Sequence, residues 1–217
     1  MEPLKQDLFG EIRREMRGQE SVIVRDCSAA HPLVRWFARR LLAREAGALA
    51  LLESIPQTPD VVDVSRDRLV RTWIDGRPLQ VARSRDPDFY RQAMRLLRGI
   101  HAAGVVHNDL AKEPNLLVDA AGQPAIIDFQ IALFPRRRHR LFRLLGREDL
   151  RHMLKHKRTY CPQHLTARER AILATPSLLS RVLRQTFKPV YYFVTRRLLG
   201  WADREGAGPR EAGRKSQ

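Results

Sequence analysis

Apolar and polar positions alternate in two short stretches near the amino terminus, Leu8-Phe9-Gly10-Glu11-Ile12 and Ser21-Val22-Ile23-Val24, separated by polar residues and Gly18. A period of two marks strands with one buried face, so a small antiparallel sheet is expected there. The period then changes. From Pro32 to about Glu53, the residues Leu33, Val34, Trp36, Phe37, Leu41, Leu42, Ala46, Leu49 and Leu52 recur at helical spacing, with Arg39, Arg40 and Arg44 on other faces. This predicts one long amphipathic helix, which Pro56 and Pro59 terminate.

Val61-Val62-Asp63-Val64 and Leu69-Val70-Arg71-Thr72-Trp73-Ile74 read as a strand pair turning at Ser65 to Arg68, and Asp75-Gly76-Arg77-Pro78 breaks the chain. A second helix is expected from about Pro87 to Ala103, with Phe89, Met94, Leu97 and Ile100 on one side and Gly104 as its left-handed cap. Leu116-Leu117-Val118 and Ala125-Ile126-Ile127 flank Asp119 to Pro124, a hairpin with turn chemistry. From about Leu141 to Trp201 the pattern is helical and heavily basic, and the Gly-, Pro- and charge-rich residues after Asp203 are expected to be disordered.

Composition places limits on this picture. At 217 residues, with 43% hydrophobic and 29% charged positions, the chain is long enough for one large domain or two small lobes sharing a cleft. Cys27 and Cys161 stand far apart without metal-ligand spacing, so neither a disulfide framework nor a zinc site is suggested. No stretch approaches the length of a membrane span, which predicts a soluble, cytoplasmic protein. A formal charge of +16 predicts attraction to polyanions without choosing among nucleic acid, anionic membrane and phosphorylated glycolipid.

The chemistry concentrates in His107-Asn108-Asp109-Leu110-Ala111-Lys112-Glu113-Pro114-Asn115, followed after the hairpin by Ile127-Asp128-Phe129-Gln130. This resembles the catalytic loop and metal-binding turn of protein-kinase-like enzymes, H-R-D-x-x-x-x-N and D-F-G. Asn115 and Asp128 are thirteen positions apart, the separation that two strands and a tight turn need to bring both to one cluster. The resemblance implies an α+β, bilobal fold: a small lobe of sheet plus helix over residues 1–74, a larger, mainly helical lobe over 75–202, and a tail over 203–217. It implies ATP and magnesium (Mg2+) as cofactors, Asp109 as the base that orients the attacking hydroxyl, and Asn115 and Asp128 as metal ligands.

Further assignments follow from the same resemblance. Lys112 takes the place of the loop lysine that steadies the transferred phosphate, or is a solvated surface lysine. Arg25 stands where the family has its phosphate-binding lysine and Glu45 where it has the helix glutamate; the alternative for Glu45 is a solvated carboxylate paired with a nearby arginine. Gly10, with Gly18, is what is left of the phosphate-covering glycine loop, and Ile74 with Trp73 takes the hinge position beside adenine.

The sequence also departs from the family pattern. Asp109 to Asn115 spans six positions where the pattern spans five, Asn108 replaces an arginine, and Gln130 replaces the glycine of the metal turn. No A-P-E motif follows Asp128. The chain instead looks like compact bacterial lipopolysaccharide-core and Kdo kinases and RIO-type atypical kinases, which implies an envelope sugar or lipid, or a Ser/Thr protein, as acceptor. A pseudokinase serving as a nucleotide-binding regulatory module is the competing expectation.

Arg136 to Arg140, with Arg143, Arg147, Arg151, Lys155, Lys157 and Arg158, is either a face for an anionic acceptor or membrane leaflet, or a solvated basic face. Phe187 to Arg197 offers a second basic-aromatic stretch, suited to a membrane interface or to a core helix. His152, His156 and His164 read as surface residues. Nucleic acid is not expected as a partner, because no recognised reading motif accompanies the charge.

Overall fold

In a computed structural model, which describes residues 2–175, the amino-terminal alternation forms three consecutive antiparallel strands: β1 (Glu2–Asp7), β2 (Gly10–Arg17) and β3 (Glu20–Asp26). The first of these is not expected from the sequence, because Pro3, Leu4 and Gln6 are all exposed on an edge strand and show no one-sided apolar pattern. Leu8 and Phe9 form the turn into β2 instead of opening it.

Helix α1 (Pro32–Ala50) follows. Proline opens it, His31 Nδ1 accepts from the Leu33 amide, and Ala38, Leu42, Glu45, Ala48 and Leu49 form its buried stripe. Strands β4 (Val61–Val64) and β5 (Arg68–Thr72) complete a five-stranded antiparallel sheet in the order β1-β2-β3-β5-β4.

The break at Asp75 to Pro78 contains an element the sequence pattern hides. Arg77–Pro78 form a two-residue strand, β6, leading into the short helix α2 (Leu79–Ala82). β6 pairs with β7 (Leu116–Val118), which pairs with β8 (Pro124–Ile126), giving a second antiparallel sheet of three strands. Between them runs α3 (Pro87–Ala102), capped by Asp86, whose carboxylate accepts from the Asp88 amide, and ended at Gly104 with φ of 90°. Two helices follow, α4 (Arg140–Tyr160) and α5 (Ala167–Ala174), the latter opened by a reciprocal capping box between Thr166 and Glu169. The architecture is thus α+β.

The largest core joins the end of α1 (Ala48, Leu49, Leu52) to α3 (Phe89, Ala93, Leu97, Ile100), the hairpin (Leu116, Ile126), Phe129, and Met153 of α4. Burying each such side chain contributes about 1.5–3 kcal/mol, and this shared core fixes α1 against the loop segments that carry the chemistry. A smaller cluster of Cys27, Ala30, Ala38, Leu42 and Leu69 holds the sheet to the rest of α1. The expected tail at 203–217, the end of the larger lobe from 176 to 202, and the stretch Phe187 to Arg197 lie outside the described residues.

Candidate functional site

The loop between α3 and β7 is built around His107, which is fully buried. His107 Nε2 donates to the Ile127 carbonyl at 2.9 Å, and its Nδ1 accepts from the Asp109 amide at 3.2 Å. Both bonds hold at once only with the ring proton on Nε2, so the two contacts fix the tautomer. The ring also lies 4.7 Å from that of Phe129. One imidazole therefore ties the backbone before Asp109 to the residues on either side of Asp128.

Asn115, 4% exposed, makes the second connection. Its Nδ2 donates to the Asp109 carbonyl at 3.1 Å and to Asp109 Oδ2 at 3.2 Å, while its own carbonyl accepts from the Ile127 amide at 3.0 Å. The extra residue between Asp109 and Asn115 is absorbed by two tight turns, Lys112 N to Asp109 O and Asn115 N to Lys112 O, each 3.2 Å, the second being a 3-10 turn over Glu113–Asn115. Lys112 Nζ lies 2.9 Å from Asp109 Oδ2 with its side chain 64% exposed. Both cationic and amide contacts thus fall on Oδ2, leaving Oδ1 of Asp109 outside these bonds.

Asp128 sits at φ of 67° and Asn108 at 66°, left-handed conformations that Asn and Asp adopt more readily than other non-glycine residues. Gln130 Nε2 donates to Asp128 Oδ1 at 2.6 Å, so the residue standing in for glycine orients the carboxylate. Asn108 Nδ2 donates to the Ile131 carbonyl at 3.3 Å, joining the two loops again.

Beneath the loop lies a carboxylate that motif reading misses. Asp149 of α4, 1% exposed, accepts from the His107 amide at 2.8 Å, the Asn108 amide at 2.9 Å and His101 Nε2 at 3.2 Å. Gly146, one turn earlier, also faces the His101 ring, where a Cβ would stand in ordinary contact at 3.4 Å. A sequence signal exists: Asp149 falls on the buried stripe of α4 with Phe142, Leu145 and Met153, where an acid is out of place unless it has donors to serve.

The expectation of surface histidines fails at His156. It is 6% exposed and its Nε2 donates to the Leu110 carbonyl at 2.7 Å, bracing the residue after Asp109. Burial depresses its pKa despite that bond, and burial also pushes His152 down to about 4. Tyr160 donates to Glu113 Oε2; burial, then that hydrogen bond, pushes the phenol up to about 12. The basic face is likewise divided. Arg136, Arg137, Arg140, Arg143 and Arg147 are exposed, whereas Lys157 is buried with Nζ 2.8 Å from both Glu169 oxygens, and Arg151 donates to the last carbonyls of α5.

Arg25 of β3 and Glu45 of α1 meet, Nε to Oε2 at 3.4 Å. Glu45 is 1% exposed, which rules out a solvated carboxylate. A second cation, Arg71 of β5, stands closer, Nε to Oε1 at 3.0 Å, and was not anticipated. Gly10 has φ of 120°, and a Cβ there would fall 2.1 Å from the Asp26 carbonyl oxygen. Its glycine is thus required by the approach of β2 to β3. Gly18, at φ of 63° in the two-residue turn between those strands, fills the first position of a type II′ hairpin. Ile74, half-buried, lies in the link between β5 and β6, after Trp73, whose ring is covered by the Arg14 guanidinium at 4.4 Å.

As possible metal ligands, the Asn115 amide oxygen and the Asp128 and Asp109 carboxylates are all hard oxygen donors, the type magnesium takes. With Nδ2 committed to Asp109 and the backbone carbonyl to Ile127, Asn115 Oδ1 carries none of the bonds above. No group of three His, Cys, Asp or Glu side chains with metal-holding geometry occurs among the described residues. No protein-family model matches the sequence, and a search of curated proteins finds no match.

Proposed function

We propose that the chain is an ATP- and magnesium-dependent phosphotransferase of the protein-kinase-like type, moving the γ-phosphate to a hydroxyl of an anionic acceptor. The observation that carries this reading is the double tie of Asp109 to the Asp128 turn, through the His107 ring and through both ends of Asn115. A sheet with one long helix, followed by a helical region that holds the loop, supports a bilobal arrangement of this kind.

Asp109 is the base in this mechanism. Lys112 and Asn115 hold Oδ2, so Oδ1 is the oxygen that accepts the proton of the attacking hydroxyl. Lys112, mostly exposed, is in reach to place positive charge beside the transferred group. Asn115 and Asp128 would hold magnesium, which when bound neutralises charge building on the phosphates. Gln130 keeps the Asp128 carboxylate in one orientation, and Asp149 keeps the loop backbone in place. The exposed arginines from Arg136 to Arg147 suit an acceptor that carries phosphate, such as an envelope glycolipid, or the anionic inner leaflet of a membrane where it resides.

The test is transfer of labelled γ-phosphate from magnesium-ATP to envelope extract and to protein extract. Asp109→Ala is expected to lower transfer by at least about a hundredfold. Equal transfer by the variant removes the assigned base, and nucleotide binding without transfer to any acceptor replaces this reading with a regulatory pseudokinase.

A further inference from the structure

Strand alternation puts Arg25 and Arg71 on one face of the sheet. Ile23 pairs with Arg71 and Arg25 with Leu69, so the two arginines are diagonal neighbours, while Val22, Val24 and Val70 cluster on the opposite face. Both point at a single acid, Glu45. Neither contact has hydrogen-bond geometry, so both Glu45 oxygens are buried and held by charge alone.

The charge count does not balance. Two guanidiniums, with side chains 14% and 11% exposed, share one carboxylate, leaving one positive charge in excess in a largely dehydrated place. Excess charge of this kind is costly unless an anion compensates it. Each arginine turns Nε toward Glu45, and no hydrogen bond from the terminal nitrogens of either is found among the described residues. A guanidinium edge left open in this way matches two phosphate oxygens at once.

The place also suits a nucleotide. Leu49, one turn beyond Glu45, packs in the same core as Phe129, beside Asp128. Gly47 lies so close to Phe134 that a Cβ would be 3.0 Å from the ring, which draws this part of α1 onto the segment following the Asp128 turn. The glycines that would form a phosphate-covering loop are committed to the β2–β3 contact and to a hairpin turn.

We infer that Arg71 acts with Arg25 as a two-armed clamp for the polyphosphate chain of the nucleotide, with Glu45 as the residue that positions both arms. This rests on the transferase reading for the identity of the nucleotide, but the clamp itself requires neither adenine nor metal.

Titration of the full chain with inorganic tripolyphosphate in EDTA, followed by calorimetry, isolates the clamp. Wild type is expected to bind, with affinity falling as salt rises. Arg71→Gln is expected to weaken binding by about tenfold or more, and Arg71→Lys, which keeps the charge but loses the fork, by less. Arg98→Gln, which removes one charge from an exposed position on α3, is expected to change little. Equal weakening by Arg98→Gln and Arg71→Gln, or unchanged binding in both Arg71 variants, overturns the clamp. Arg71-dependent binding of tripolyphosphate without any phosphate transfer keeps the clamp and defeats the transferase reading. Magnesium-dependent transfer with an unchanged KM for ATP in Arg71→Gln does the reverse.

Discussion

Asp149 is the residue on which the geometry of the loop depends most. Its two oxygens accept from the buried amide of His107 and the partly buried amide of Asn108, as well as from His101. Asp149→Ala strands those two amides, at about 1–3 kcal/mol each. A loss of about 2–6 kcal/mol in urea-unfolding stability is expected, and a loss under 1 kcal/mol would mean that the loop has another support. Gly10→Ala is expected to cost at least about 1–3 kcal/mol, since both its positive φ and the Asp26 carbonyl oppose a side chain. The same unfolding curves measure it.

Asp109, Asn115 and Asp128 were legible because the motif is local, residue types at fixed spacing around a hairpin that the sequence itself announces. Asp149 and Arg71 were not, because their partners are distant in the chain. Asp149 reaches His107 across 42 positions. Nothing near Arg71 distinguishes it from the other arginines of this chain, until strand pairing places it opposite Ile23.

At the scale of elements, α4 holds the loop that carries Asp109 through side chains that face inward from a strongly basic helix. His156 and His152 both lie on it with depressed pKa values caused chiefly by burial. The unfolded chain therefore binds more protons than the folded one between pH of about 6.5 and about 4. Stability should be constant above neutrality and decline as pH falls through that window, by up to about 1.4 kcal/mol per pH unit for each histidine. Denaturation midpoints from pH 8 to pH 4.5 measure this, and His156→Gln should flatten the curve. A flat wild-type profile would contradict the burial of these rings.

The helices α1 and α3, the β4–β5 pair and the hairpin were readable from periodicity and turn residues, to within a few positions. β1 and β6 were not. The first is an exposed edge strand with no apolar face, and the second is two residues long, defined by its pairing with β7 alone. Lys157 was placed on a basic face by charge counting, yet it is buried against Glu169. Burial alone would raise that carboxylate's pKa, but the Lys157 and Thr166 hydrogen bonds outweigh it and hold the acid below its usual range.

On the scale of the whole molecule, the chain carries a formal charge of +16. Among the described residues, Arg25 and Arg71 are largely buried against Glu45, while Arg136, Arg137, Arg140, Arg143 and Arg147 form an exposed run. No helix among the described residues is long and apolar enough to cross a membrane. The central claim concerns neither surface but the convergence of Asp109, Asn115 and Asp128 on one nucleotide-bound cation.

Manganese(II), which accepts the same oxygen donors as magnesium, reports on that convergence through its paramagnetic resonance spectrum. In the presence of ATP, the wild-type chain should convert the manganese-nucleotide signal to a protein-bound form. Asp128→Ala and Asn115→Leu should each reduce that conversion by about tenfold or more. An unchanged bound signal in both variants would contradict the account.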